Sequence, residues 1–286
     1  MNLDELIIRP LTRDEFEIAV DWAADEGWNP GLHDADVFWQ TDPEGFYGAE
    51  LDGRLAATGS VVSYSGRYGF MGFFIVREDL RGRGIGTRLW FHRRDLLKSR
   101  LEDGASIGMD GVFDMQEWYA QGEFEFTHRN LRMEGIGQAA TQDSRVHSLS
   151  DVSLDSLTAF DAIHFGFPRE AFLKAWITLP DSTALAFTED NQLKGYGVIR
   201  RCREGHKIGP LFASEPEVAE SLFQQLASRA KDEAIWLDIP EINSVARDLA
   251  DRYELTEVCG CARMYYGGIP QLPWDQIFGI TTFELG

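Results

Sequence analysis

The sequence contains little of three features that would each define a class of protein: cysteine, positive charge and long apolar runs. The three cysteines, Cys202, Cys259 and Cys261, form no even set for a disulfide framework and no C-x-x-C pair. We expect the last two to share one face of a strand. The formal net charge of −20 opposes general binding to nucleic acid or to an anionic membrane. The longest apolar run, at 69–76, is far shorter than the ~20 residues of a membrane helix.

Two further absences bear on compartment and chemistry. Residues 1–10 lack the basic stretch followed by apolar residues that marks a secretory signal, so we expect a cytoplasmic protein. The six histidines are scattered and no H-E-x-x-H motif occurs, so we expect no metal. The acidic composition leaves two interpretations open: a cationic substrate, or charge that serves solubility.

The sequence instead contains the same order of predicted strands and helices twice. In each half, two strand patterns joined by an acidic turn precede another strand, a helix, a strand, a short helix and a final strand. Corresponding residues include Leu55 and Leu193, Gly59 and Gly197, Phe74 and Phe212, Asp110 and Asp238, and Arg132 and Arg263. We therefore predict an α+β fold with a mixed sheet in each of two domains, 1–137 and 145–286, joined near 134–144.

The stretch RGRGIGTRLW, residues 81–90, places three glycines between a predicted strand and a predicted helix. It is not a P-loop, because it has no Gly-Lys pair, and it lacks the last glycine of the dinucleotide motif G-x-G-x-x-G. The first turn of a helix has amide groups without intrahelical partners, and glycine lets a ligand approach them. An anion such as a pyrophosphate suits that position.

Local charge supports a phosphate site at this turn. Between Arg77 and Arg100, eight basic residues stand against three acidic ones in an otherwise acidic chain. A polyanion could bind there, because salt screens charges beyond ~8 Å. The alternative is a turn that needs glycine only for its shape, followed by a solvated basic helix face.

The pattern Arg81-x-x-Gly84-x-Gly86 after an apolar strand resembles motif A of the GNAT superfamily of N-acetyltransferases. The segment DMQEWYAQGEFEF, 114–126, resembles the helix and strand that complete the cofactor site of that family. The stretches EGWNPGLHD, KIGPLFA and CARMY resemble a two-domain subfamily in which a GNAT domain precedes a GNAT-like domain. The resemblance implies a tandem duplication of this fold.

The resemblance also implies acetyl-CoA as cofactor and direct acyl transfer to an amine on a small molecule or a protein. Backbone groups of Phe74, Ile75 and Val76 would pair with the pantetheine arm like an added strand, and an N–H there would polarise the thioester carbonyl. The residues that would cradle the pyrophosphate are Arg81, Gly82, Arg83, Gly84, Ile85, Gly86 and Thr87.

By the same resemblance, Tyr119 is placed to protonate the departing CoA thiolate. From the residues alone, a tyrosine beside Trp118 on a short helix is more often a core aromatic. The family usually has Gly-Phe four and five positions after this tyrosine, where the present chain has Glu123 and Phe124. This departure affects the local bulge that aims the tyrosine.

The acceptor side is less defined by the sequence. Trp28 and Asn29 begin a tight turn that we interpret as a substrate loop, the alternative being a surface loop with an anchoring tryptophan. Glu26, Glu78 and Asp110 are candidates for the base that deprotonates the amine, and none is favoured.

The second half lacks glycine at the corresponding turn and carries glutamates there, which would repel phosphate. We expect no CoA in that half, and a role in covering the substrate side or in forming a homodimer. Besides an N-acyltransferase, a CoA-responsive binding module and a scaffold without cofactor remain alternatives.

Overall fold

The computed structural model describes residues 3–286 and shows why the first half forms a hairpin-rich sheet. The predicted Asp52-Gly53 turn is present, with positive φ angles of 51° and 71° that favour such residues. The strands are β1 (Ile7–Pro10), β2 (Phe46–Leu51), β3 (Arg54–Ser60), β4 (Val62–Tyr64), β5 (Tyr68–Met71), β6 (Ile75–Val76), β7 (Ser106–Val112) and β8 (Glu125–Ile136). The helices are α1 (Arg13–Asp25), α2 (Asp34–Thr41), α3 (Ile85–Ser99) and α4 (Gln116–Ala120).

The second half repeats this order, as the sequence predicts. Its strands are β9 (Val146–Ser148), β10 (Ser182–Glu189), β11 (Gln192–Arg201), β12 (His206–Ala213), β13 (Ala234–Pro240), β14 (Thr256–Tyr266) and β15 (Ile277–Gly279). Its helices are α5 (Leu154–Phe165), α6 (Glu170–Trp176), α7 (Pro216–Ala227) and α8 (Ser244–Arg252). The predicted α+β class with mixed sheets and an internal duplication is confirmed.

The final strands of the two halves are exchanged. In the longer sheet, the order β7-β14-β8-β13 places β14 beside β7 of the first half, and β8 beside β13 of the second. Both contacts are antiparallel and extend over six or more residues. One continuous sheet therefore crosses both halves. The domain limits 1–137 and 145–286 stay a prediction, and the sheet itself is not divided at them.

The two faces of this long sheet differ because side chains alternate along each strand. On one face, Leu131, Ile208 and Leu237 pack in an apolar core with α7 and α8. On the other face, Arg132 and Lys207 lie beneath the segment that joins α1 to α2. Within residues 3–286, no helix combines the length and the apolar character needed to cross a membrane.

A second core joins the two halves. Phe38 on α2 stacks on Trp176 of α6, with ring centroids 6.1 Å apart and ring planes 11° from parallel. Both side chains are almost completely buried. At ~25 cal/mol per Å² of apolar surface, such aromatic burial contributes several kcal/mol to holding the halves together.

Candidate active site

The candidate site begins where two neighbouring strands separate. β5 pairs in parallel with β7 up to Met71 and Met109. Beyond that point β6 belongs to the smaller sheet, where it pairs with β3. The sequence predicts one continuous strand here. The structure breaks it at 72–74, where Phe73 has a positive φ of 49°. The result is a cleft between β6 and β7.

The main chain of β6 offers to this cleft an edge that no other strand occupies. Ile75 pairs with Thr58, and Arg77 N–H donates to Ala56 C=O over 3.0 Å. Because antiparallel strands alternate, the main-chain groups of Ile75 point to β3, while those of Phe74 and Val76 point into the cleft. The prediction for Ile75 is therefore wrong for its main chain. Phe74 and Val76 keep the geometry of a strand edge that an extended arm can extend.

The glycine loop leads directly into α3. Gly82 and Gly84 have φ angles of 74° and 84°, which glycine adopts without strain, and Gly84 precedes the first helical residue. No side chain caps this helix terminus, and within residues 3–286 the amides of 82–87 donate to no other main-chain group. The loop is exposed except for the buried Ile85 and the half-buried Gly86. It presents free N–H groups at the positive end of a helix, the environment that an anion prefers.

Most of the basic side chains between Arg77 and Arg100 bind other groups of the protein. The expectation that their charge is free to attract phosphate is therefore corrected. Arg81 donates through Nε to Val76 C=O over 2.9 Å and pairs with Glu26. Arg100 forms two 2.8 Å bonds to Asp42. The attraction for phosphate at this loop therefore rests on main-chain amides more than on side-chain charge.

Arg93 of α3 binds main-chain carbonyls beside the point where β5 ends and the two strands separate. It is fully buried, and its guanidinium donates to Ser60 C=O over 2.6 Å and to Gly72 C=O over 2.8 Å. Burial lowers the pKa of Arg93 to about 9, so it stays charged at neutral pH. These carbonyls flank the break between β5 and β6, and Arg93 thereby ties β3 to the point where the cleft opens.

Tyr119 lies at the cleft on the same side as α3. Its ring packs against Trp90 at 5.0 Å and against β7 at Gly111, where a Cβ would overlap the ring. The hydroxyl has no hydrogen-bond partner among the described residues and is not sealed from solvent. Burial raises the pKa of Tyr119, so the group carries its proton at neutral pH and can donate it.

The bulge after Tyr119 is present although Glu123 stands where the family usually has glycine. Its φ of 68° lies in the left-handed region that glycine favours, and the following Phe124 is buried against Trp90 at 5.5 Å. The backbone therefore takes the turn expected of a glycine although the residue is a glutamate. The cost is ~1 kcal/mol of local strain.

The second half closes the corresponding cleft with its own chain. β12 and β13 pair in parallel only up to Ile208 and Leu237. Beyond that point β15 joins the edge of β12, with Ile277 opposite Phe212, the counterpart of Phe74. Ile280 N–H then donates to Asp238 C=O over 2.8 Å. A protein strand thus lies where the first half leaves room for an arm.

The predicted substrate loop connects the halves. The Asn29 side chain donates to Glu204 C=O over 2.9 Å and accepts from Glu204 N–H over 3.0 Å. The carbonyl of Trp28 accepts bonds from Lys207 and Arg132 over 2.8 and 3.0 Å. These contacts give Asn29 a structural role, because its amide is already satisfied. Contact of the Trp28 ring with substrate stays a prediction.

None of the three candidate bases from the sequence is a free carboxylate facing the cleft. Asp110 accepts two bonds from Arg263, over 2.8 and 2.6 Å, and a third from Asn130. Glu26 is paired with Arg81, and Glu78 is exposed in a short turn after β6. Glu284 and Arg93 were not predicted from the sequence, because no local motif marks them.

Comparison with known proteins agrees with this geometry. Residues 8–107 match the profile of the acetyltransferase (GNAT) family, and residues 157–279 match that of an acetyltransferase (GNAT) domain. The holothin acyltransferase of Pseudoalteromonas sp. (strain SANK 73390) is 30% identical over 97% of this chain and 94% of its own. The chain therefore belongs to the GNAT acetyltransferase family, with one copy of the fold in each half, and to its acyltransferases in the broad sense.

Solved structures show the same arrangement of two folds. A Pyrococcus horikoshii protein assigned as an acetyltransferase has a TM-score of 0.85 at 22% identity, covering 100% of this chain and 98% of its own. A tandem GNAT protein from the clavulanic acid biosynthesis pathway has a TM-score of 0.64 at 12% identity, covering 93% and 100%. At these identities the likeness shows the fold alone.

Proposed function

We propose that this protein is an acetyl-CoA-dependent N-acetyltransferase whose cofactor binds in the first half. The observation that carries the proposal is the contrast between two equivalent clefts. In the first half no strand lies beside the cleft edge of β6 and the amides of 82–87 are unpaired, whereas in the second half β15 fills the gap. GNAT acyltransferases use acyl-CoA, and an extended pantetheine arm ending in a pyrophosphate fits both features of the first cleft.

In this proposal the cofactor supplies an acyl thioester, and the chain supplies position and protons. Amides of 82–87 hold the diphosphate, while the main-chain N–H groups of Phe74 and Val76 align the arm and can polarise the acyl carbonyl. Tyr119 holds a proton for the leaving sulfur. The acceptor is an amine of a small molecule or a protein, it enters from the side of Trp28, and the reaction takes place in the cytoplasm.

Isothermal titration with acetyl-CoA tests the cofactor assignment. We expect one molecule bound per chain, and loss of at least ~10-fold in affinity in Gly84→Asp, because a carboxylate would replace the anion at the helix terminus. Gly104→Asp is the matched control, since Gly104 also has a positive φ (83°) and lies in open space outside the cleft. Two molecules per chain, or equal binding by Gly84→Asp, would contradict the proposal.

Thiol release across a panel of amines tests the reaction. Holothin belongs in this panel because the 30%-identical relative is named for it. Binding of acetyl-CoA without turnover on any amine would favour the alternative, a CoA-responsive module. Self-association through the second half stays a prediction, which light scattering can measure in the same samples.

A further inference from the structure

Glu284 differs from the other buried carboxylates by having no partner. Each of the others receives two hydrogen bonds from one arginine; the pairs are Asp34 with Arg200, Asp42 with Arg100, Asp110 with Arg263, Asp161 with Arg169, and Asp238 with Arg132. Glu284 is only 6% exposed, yet within residues 3–286 its carboxylate forms no hydrogen bond and no ion pair. Neither oxygen is completely sealed from solvent. A buried acid without a partner is costly, and such cost is typical of functional groups.

The main chain of Glu284 lies at the cleft of the first half. A Cβ on Gly72 would overlap the main-chain carbonyl of Glu284, so the two backbones touch. Gly72 is the first residue of the break between β5 and β6, directly beyond the last pair of β5 and β7. A segment of the second half therefore reaches the point where the two strands of the first half separate.

Glu284 and Tyr119 lie on opposite faces of the sheet. Met71 packs on the α3 side in one core with Tyr119. Phe70, and with it Gly72 two residues later, faces the other side, in the core that includes Leu285. The Tyr119 hydroxyl thus lies on one face of the cleft, and the main chain of Glu284 reaches the cleft from the other face. Acyl transfer to an amine needs a proton donor and a proton acceptor in such an arrangement.

The segment that carries Glu284 is fixed on both sides. Tyr64 of the first half donates to Leu285 C=O over 2.8 Å, and Leu285 N–H donates to the Thr282 hydroxyl over 3.0 Å. Arg169 of the second half donates to the Thr281 hydroxyl over 2.9 Å. The carboxylate is therefore held in place by its neighbours, although it has no partner of its own.

The charges around Glu284 are already engaged. The pKa of Glu284 lies above its ordinary value, because burial, with a contribution from Asp34, outweighs the opposing effect of Lys207, Arg132 and Arg200. Lys207 donates to Trp28 C=O, and Arg132 and Arg200 bind their own aspartates. None of the three cations bonds to the carboxylate, which leaves its oxygens available to an incoming N–H group.

We propose that Glu284 accepts the proton of the acceptor amine, which rests on the proposed function. The amine nitrogen forms a bond to the thioester carbon as the C–S bond breaks. The proton lost by nitrogen goes to the Glu284 carboxylate, and the sulfur takes the proton of Tyr119. Proton exchange with water restores both groups. The second half thereby contributes a catalytic residue to the site of the first.

Glu284→Gln, measured by thiol release with acetyl-CoA and the primary alkylamine that the wild type uses fastest, tests this assignment. We expect kcat/KM to fall by ~10² at pH 7. The loss should shrink as pH rises, because hydroxide can then accept the proton that nitrogen loses in the variant. Glu284→Asp, which keeps a carboxylate, should lose less and retain the wild-type pH profile. Glu189→Gln, at an exposed hairpin, is the control and should match the wild type.

The outcomes separate this proposal from the proposed function. Full activity of Glu284→Gln at pH 7 overturns the role of Glu284 and leaves the enzyme assignment intact. A wild type that binds acetyl-CoA but acylates no amine overturns the enzyme assignment. A merely structural Glu284 would change the melting temperature of Glu284→Gln while the pH profile stays that of the wild type. That result also overturns the proposal.

Discussion

Arg132 of the first half and Asp238 of the second are joined by two hydrogen bonds of 2.7 Å. The reciprocal pair, Arg263 of the second half and Asp110 of the first, is joined by bonds of 2.8 and 2.6 Å. These residues correspond to one another in the internal repeat. Each repeat therefore gives its arginine to the aspartate of the other, because the strands that carry the arginines are exchanged.

We expect Asp238→Asn to lower the free energy of unfolding by ~3–5 kcal/mol at pH 7, because it leaves the buried Arg132 without its counter-charge. Urea denaturation measures this change, with Glu170→Gln as control. The pair of Glu170 with Lys174 is exposed, so its loss should cost less than ~1 kcal/mol. An equal cost for both variants would contradict the prediction.

The same variant should show a defined pH dependence. Burial opposes ionisation of Asp238, but Arg132 outweighs it, and the pKa of Asp238 lies below its ordinary value. The stabilisation is therefore present above the unfolded-state pKa of ~4 and is lost as pH falls through the lower folded-state pKa. The difference between wild type and Asp238→Asn should be smaller at pH 3 than at pH 7. Its persistence at pH 3 would argue against an ionic origin.

We expect Tyr119→Phe to lower kcat by ~10² while the KM for acetyl-CoA changes little, because the variant loses a proton donor but keeps the ring that packs on Gly111. Steady-state kinetics measure both constants. Tyr253→Phe removes a hydroxyl far from the cleft, one that bonds Glu220, and should leave kcat unchanged. If Tyr119→Phe raises KM alone, the residue positions the cofactor instead.

We expect Glu123→Gly to raise the free energy of unfolding by up to ~1 kcal/mol, because glycine relieves the strain of a φ of 68°. Thermal or urea denaturation measures the gain. Glu125→Gly is a matched control in β8, where glycine should destabilise by ~0.5–1 kcal/mol. Loss of stability in Glu123→Gly would show that the glutamate side chain compensates for its backbone.

We expect Arg93→Lys to cost ~2–3 kcal/mol of stability and to weaken acetyl-CoA binding, because one ammonium cannot bridge the carbonyls of Ser60 and Gly72 as the guanidinium does. Denaturation and titration measure the two effects. Arg94→Lys, at the next position of the same helix, where the arginine pairs with the exposed Asp95, should stay within ~0.5 kcal/mol of wild type. Unchanged binding in Arg93→Lys would separate the strand break from the cofactor site.

The sequence predicted features that depend on neighbouring residues. The Asp52-Gly53 turn, the glycine-led start of α3 and the order of elements in each repeat follow from local chemistry and periodicity. The exchange of β8 and β14 did not follow, because an alternating pattern indicates a strand and its buried face but not which copy of a duplicated partner it pairs with. Ile75 was misassigned because the break at 72–74 shifts which main-chain groups face the cleft.

The acceptor side of the site was the least predictable part, because it depends on contacts between residues far apart in the sequence. Glu284 lies more than 200 residues from Gly72 in sequence, and no spacing rule links them. Asn29 was interpreted as a substrate residue because it lies beside Trp28 in a tight turn. The amide it satisfies belongs to Glu204, 175 residues away. Long-range pairing decides whether a polar side chain is available, and a single sequence does not contain that information.

The interlocking of β8 and β14 makes the two repeats physically inseparable even though they are recognisable as copies. Opening the polypeptide within 138–144 would leave each piece with an orphan strand and a gap in its sheet, so either piece alone would aggregate. Produced together, the pieces would find each other and rebuild the enzyme without a covalent link. Recovery of acyltransferase activity on mixing would then measure how far the two pieces have assembled.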